Sequence, residues 1–146
     1  MSNNYIFSNA EEELLSLPKE YTVEIALENN DLLYTPLAQS FNIDQLVKFL
    51  CNFNNGIPDK IRITMFGIDG PPTLSILEYN GEYLKLTIDV SRYDGDVYDE
   101  FIISYGYDII IDKTYYNSYN AYSFFLNKFD NGLALIFTYT IFNMQL

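Results

Sequence analysis

Thr73-Leu74-Ser75-Ile76-Leu77-Glu78-Tyr79 and Glu82-Tyr83-Leu84-Lys85-Leu86-Thr87-Ile88-Asp89-Val90 flank the dipeptide Asn80-Gly81. Two β-prone runs joined by Asn-Gly read as a hairpin, because both turn residues tolerate the positive φ that a two-residue turn needs. In that register Leu77 faces Leu84 and Ser75 faces Leu86, while Leu74, Ile76 and Tyr83 share the other face with Glu78 and Lys85. One face then packs on the core and the other is mixed.

Working toward the N-terminus, Ile61 to Phe66 alternates as a strand, and Gly67 to Pro72 joins it to the hairpin as a turn. Before it, the stripe Ile43, Leu46, Val47 and Leu50, widened by Phe49 and Phe53, predicts a helix capped by Asn42 with Gln45 three residues on. Asn54, Asn55, Gly56 and Pro58 end that helix. Thr22 to Leu27 alternates Val23, Ile25 and Leu27 with polar or small residues, the period of a half-buried strand. A short helix is expected over residues 8 to 17, with Ser8 and Glu11, or Asn9 and Glu12, at capping-box spacing and Pro18 as its stop.

Toward the C-terminus, Phe101 to Ile103 and Tyr107 to Ile111 read as two short strands with Gly106 at their bend. Tyr119, Tyr122, Phe125 and Leu126 fit helical spacing, yet tyrosine is β-prone, so helix and loop both stand open for residues 115 to 129. Leu133 to Phe142 is a final strand. The sum is a single α+β domain over residues 1–146, an antiparallel sheet of about five to seven strands carrying two or three short helices.

Composition narrows function. With 49% hydrophobic and 17% aromatic residues the chain has the apolar surface to fold. Its apolar runs are far shorter than a membrane-spanning helix requires, and its start lacks the basic and apolar regions of a secretory signal. A cytoplasmic protein without a membrane span is expected. Twenty acids against eight bases leave a net charge of −12, which repels phosphate backbones and favours a basic partner protein over nucleic acid. The sequence does not fix the oligomeric state.

No histidine is present, so the usual general base and the commonest metal ligand are both missing. The lone Cys51 lies in the apolar helical pattern and reads as a packing thiol. Carboxylate pairs alone could hydrolyse glycosides, but that chemistry needs a sugar-binding cleft commonly walled by aromatics, and the chain has no tryptophan. Asp94, Asp96, Asp99 and Glu100 could offer oxygens to calcium, yet they lack the EF-hand spacing, and a solvated acidic loop is the simpler reading. No catalytic residue, metal site or cofactor is expected.

Tyrosine is the distinctive residue, with fourteen copies. Tyr93, Tyr98, Tyr105, Tyr107, Tyr115, Tyr116, Tyr119 and Tyr122 crowd one acidic stretch. Tyrosine gives large contact area with few torsions to freeze, and neighbouring carboxylates pair with a partner's arginine or lysine. Tyrosines also fill ordinary half-buried strand positions. The expected partner-binding patch is Tyr93, Asp94, Asp96, Tyr98, Asp99 and Glu100. The expected function is a non-enzymatic inhibitor of a basic protein, of the toxin-immunity or anti-defence kind. The alternative is a small-ligand or calcium-binding module.

Asp59-Lys60-Ile61-Arg62-Ile63, Ile68-Asp69-Gly70-Pro71-Pro72, Leu77-Glu78-Tyr79-Asn80-Gly81 and Asp89-Val90-Ser91-Arg92-Tyr93-Asp94 resemble a family of small bacterial proteins, domain of unknown function 4362. Its members are often lipoproteins of unassigned function, whereas this chain shows no leader or lipidation cysteine near its start. The resemblance carries over no catalytic residue. It implies that Arg62, Asp89, Ser91 and Arg92 sit around the edge of the central hairpin, where the arginines pair with Asp89 or Asp69 to hold the turn.

Overall fold

Asn9 opens the first helix in the computed structural model, which describes residues 6–92 and 101–142. Its side-chain oxygen accepts the Glu12 N–H at 3.1 Å and its amide donates to the Glu12 carboxylate at 3.2 Å, capping α1, Ala10–Ser16. Asn9 and Glu12 thus make the cap, and Ser8 is used elsewhere. Asn9→Ala should lower the unfolding free energy by about 1 kcal/mol in a urea titration.

The expected strand over Thr22 to Leu27 is instead α2, Val23–Glu28. Six residues are too few to separate a period of 2 from one of 3.6. The ends decide: the Thr22 hydroxyl accepts the Ile25 N–H at 3.2 Å, and the Asn29 N–H closes on the Ile25 carbonyl. Buried Ala26 packs inward. Two short strands that the pattern did not reveal follow, β1, Leu32–Tyr34, and β2, Ser40–Phe41. The expected long helix is α3, Ile43–Asn54, but Asn42 makes no side-chain cap. Asn42 lies in the left-handed region at φ 62° and its amide donates instead to the Asp31 carbonyl at 2.7 Å. Cys51 is exposed on α3, not packed inside.

The elements described after α3 are all strands: β3, Asp59–Met65; β4, Thr73–Tyr79; β5, Leu84–Asp89; β6, Phe101–Tyr115; β7, Tyr119–Lys128; and β8, Leu133–Phe142. The hairpin of β4 and β5 forms with a four-residue loop. Tyr79 pairs with Leu84, Leu77 with Leu86 and Ser75 with Ile88. The Asn80 side chain causes the longer loop by accepting the Glu82 and Tyr83 N–H groups, each at 2.9 Å. A shift of two positions leaves every side chain on its expected face.

The two strands expected around Gly106 are one strand, β6, with a bulge between Gly106 and Asp108. Residues 115 to 129, left between helix and loop, contain β7, paired along both edges, where the β preference of tyrosine prevails.

The eight strands among the described residues form one sheet in the order β2-β1-β3-β4-β5-β6-β7-β8, beyond the five to seven expected. Every pair is antiparallel except β1 with β3, which are parallel. The sheet curls until β8 reaches back to β1: the Tyr34 and Phe137 rings meet edge to face at 6.2 Å, and the Tyr34 and Thr140 hydroxyls share a 3.2 Å hydrogen bond. Its concave face buries Ile61, Ile63, Leu77, Leu84, Leu86 and Phe137 with Phe49 of α3. Its convex face buries Leu33, Leu74 and Ile76 under α1 and α2. The convex face of β4 and β5 is mixed, as expected, with buried Glu78, Lys85, Thr87 and Asp89 beside Leu74 and Ile76. Among the described residues no helix is long and apolar enough to cross a membrane.

Candidate functional site

The partner-binding patch expected from the sequence, Tyr93, Asp94, Asp96, Tyr98, Asp99 and Glu100, lies outside the described residues. The residues just before it are placed. Ser91 donates to the Asp89 carboxylate from its backbone N–H at 2.8 Å and its hydroxyl at 2.6 Å, and Arg92 Nε donates to the other oxygen at 3.1 Å. Both members of the pair are buried. The Arg92 guanidinium then donates to the carbonyls of Leu14, Pro18 and Lys19 and lies 5.8 Å from the Tyr21 ring. Orphan carbonyls at a helix C-terminus attract a cation, so Arg92 ties the end of α1 to the end of β5.

Arg62 pairs with Asp31, not with Asp69. Asp31 is 2% exposed. Its carboxylate accepts from Arg62 Nε at 2.7 Å, from the Thr64 hydroxyl at 3.0 Å and from the Tyr21 hydroxyl. Burial pushes the Tyr21 pKa up, and the Asp31 hydrogen bond and charge add to the rise while Asn29 opposes it. For Arg62 burial acts downward but Asp31, with Tyr21 and Glu13, more than offsets it, and the guanidinium is held above its ordinary value. These groups are matched to one another and leave little capacity for a ligand; they fasten α1, α2 and β3 together.

The accessible chemistry lies further along the convex face. α1 packs chiefly on β4 and β5 and α2 on β1, and the start of β6 joins them through Phe101. On this face five rings form a chain: Phe7 meets Tyr83 at 5.2 Å, Tyr83 meets Tyr105 at 6.1 Å and Phe129 at 5.8 Å, and Phe129 meets Tyr107 at 4.3 Å. Phe7 is positioned through its neighbour, because Ser8 donates to the Glu78 carboxylate from its N–H at 2.8 Å and its hydroxyl at 3.0 Å. Tyr107 is the extra residue of the β6 bulge, opposite no partner, and the bulge turns it onto Phe129. Tyr107 is 69% and Phe129 50% exposed, and Glu82, Asp108 and Asp130, next in sequence to Tyr83, Tyr107 and Phe129, are exposed as well.

The tyrosine-rich stretch is thus divided. Tyr105 and Tyr107 join this cluster, while Tyr116 and Tyr119 stack at 4.5 Å at the far end of the β6–β7 hairpin. Lys113 Nζ lies over the Tyr115 and Tyr122 rings there, 4.6 and 5.2 Å from their centroids, and these two tyrosines hold its pKa above the ordinary value. Phe7, Tyr83 and Phe129 escaped the sequence reading because strand pairing brings Tyr83 and Phe129 to Tyr105, and the Ser8–Glu78 contact brings Phe7. Among the described residues no group of three or more histidine, cysteine, aspartate or glutamate side chains gathers to hold a metal. Comparison of the chain with protein-family models, curated proteins and solved structures yields no match, so the reading of this surface rests on its own geometry.

Proposed function

We propose that this chain is a non-enzymatic, cytoplasmic binding module that inhibits a basic partner protein, in the manner of a toxin-immunity or anti-defence protein. The observation that carries this reading is the cluster of exposed Tyr105, Tyr107 and Phe129 on half-buried Tyr83, with exposed acids next to it in sequence. Large rings left in water at a sheet face mark an interaction surface. Ring faces attract lysine and arginine, and carboxylates at the rim pair with the same cations. The net charge of −12 adds long-range steering toward a basic surface.

The test is capture from nuclease-treated host lysate on the immobilised chain, beside a Tyr107→Ser/Phe129→Ser variant. A basic protein held by the parent chain, released by high salt and bound about tenfold or more weaker by the variant is the expected result. Equal retention by both chains would remove this surface from the binding role. Both substitutions lie on the exposed face, so thermal melts of the two chains should agree closely.

A further inference from the structure

On the opposite, concave face α3 closes only part of the curl. The remainder is an open cleft of about 650 Å³. Met65, Ser75, Ile88, Ile102 and Ser104 contribute to its floor from β3 to β6, and β8 forms a wall. Three observations distinguish it from a packing gap. Its volume falls within the range of small-molecule sites. Ser75 and Ser104 line the cleft, and neither hydroxyl has a protein hydrogen-bond partner among the described residues, which leaves both open to a ligand. Among the described residues the cleft is lined by no acid and by one cation, Lys128. That lysine stands 3.9 Å from the well-exposed carboxylate of Asp130, too far for a tight hydrogen-bonded pair.

We infer that the cleft binds an amphipathic organic monoanion: an apolar body against Ile88, Ile102 and β8, hydroxyl contacts from Ser75 and Ser104, and the anionic head toward Lys128. The absence of acids from the described lining favours an anion over a cation, and the hydrocarbon walls exclude a small inorganic ion. This site lies on the other face from the aromatic cluster and does not depend on the protein-binding reading.

Dodecanoate below its micelle concentration, added to the full chain, is the probe, with 1-dodecanol as the uncharged control. Saturable binding by titration calorimetry and a rise in Tm of about 5 °C at a hundredfold excess over Kd are expected. Dodecanol should bind about tenfold weaker, and Lys128→Gln should abolish that preference. Ile102→Trp fills the cleft and should abolish binding of both. Should that chain fail to fold, Ser75→Val, smaller in volume change, is expected to weaken binding. Absence of saturable dodecanoate binding, or undiminished binding in the folded cleft-filling variant, overturns the site. Equal affinity for acid and alcohol in the parent chain overturns the anionic class.

Discussion

Asp31→Ala is expected to lower the unfolding free energy by about 3–5 kcal/mol, the cost of removing one member of a buried ion pair. Three donors lose their acceptor together: the Arg62 guanidinium, the Thr64 hydroxyl and the Tyr21 hydroxyl. Arg62 keeps Glu13 at 3.3 Å, but that carboxylate also serves Lys60 and is more exposed. Most of the penalty is therefore an uncompensated, partly buried cation. Asp31→Asn, which retains an oxygen without the charge, should fall between parent and alanine. A urea titration reads all three chains. A midpoint for Asp31→Ala within error of the parent would show that the network contributes little.

The same network sets an alkaline limit. The folded-state pKa of Tyr21 is raised above its ordinary 10.0. A raised pKa means that the folded chain keeps a proton which the unfolded chain gives up, so stability is fully present below about pH 10 and falls as pH climbs toward the folded value. Removing Asp31 takes away one of the causes of that rise, so the decline should become shallower in Asp31→Ala.

What the sequence made legible follows the range of each signal. The central hairpin, the Asn42 helix and the last strand carry their periodicity within a few residues, and each formed. The details that failed depend on a single side chain choosing among local partners: Asn80 lengthened its loop, Asn42 turned to the Asp31 carbonyl, and Thr22 capped a helix where alternation suggested a strand. β1 and β2, three and two residues long, are too short to show a period and exist because β3 is there to pair with. The chemistry of the surface was legible only as composition. Tyrosine and acid identified the material of an interface, but Tyr83, Tyr105 and Phe129 become neighbours through β5–β6 and β6–β7 pairing. The cleft had no sequence signal, since serines 75 and 104 acquire meaning only from the face that they share.

Gly106→Ala is expected to cost about 3 kcal/mol or more, the range of a forced backbone shift in a packed region. A Cβ at this position would stand 2.1 Å from the Asn127 carbonyl oxygen and 2.9 Å from Leu126 Cδ1. The first contact is with backbone, which cannot rotate away as a side-chain tip can, so β6 and β7 must part where Gly106 pairs with Lys128. That point adjoins the bulge which presents Tyr107, and Phe129 donates its N–H to the Tyr105 carbonyl at 3.0 Å beside it. It also adjoins Ser104 and Lys128 in the cleft. One methyl group should therefore loosen both candidate surfaces, read as a lowered urea midpoint together with a weaker near-ultraviolet tyrosine signal. Gly67→Ala is the control: its added Cβ meets nothing nearer than the Asp69 carbonyl at 3.7 Å, and the change should stay within about 0.5 kcal/mol. If the two variants unfold alike, Gly106 is dispensable to the ladder and the bulge is held by other contacts. If only Gly106→Ala falls, the absence of a side chain at residue 106 is what lets β6 cross from the helix-covered half of the sheet to its open half.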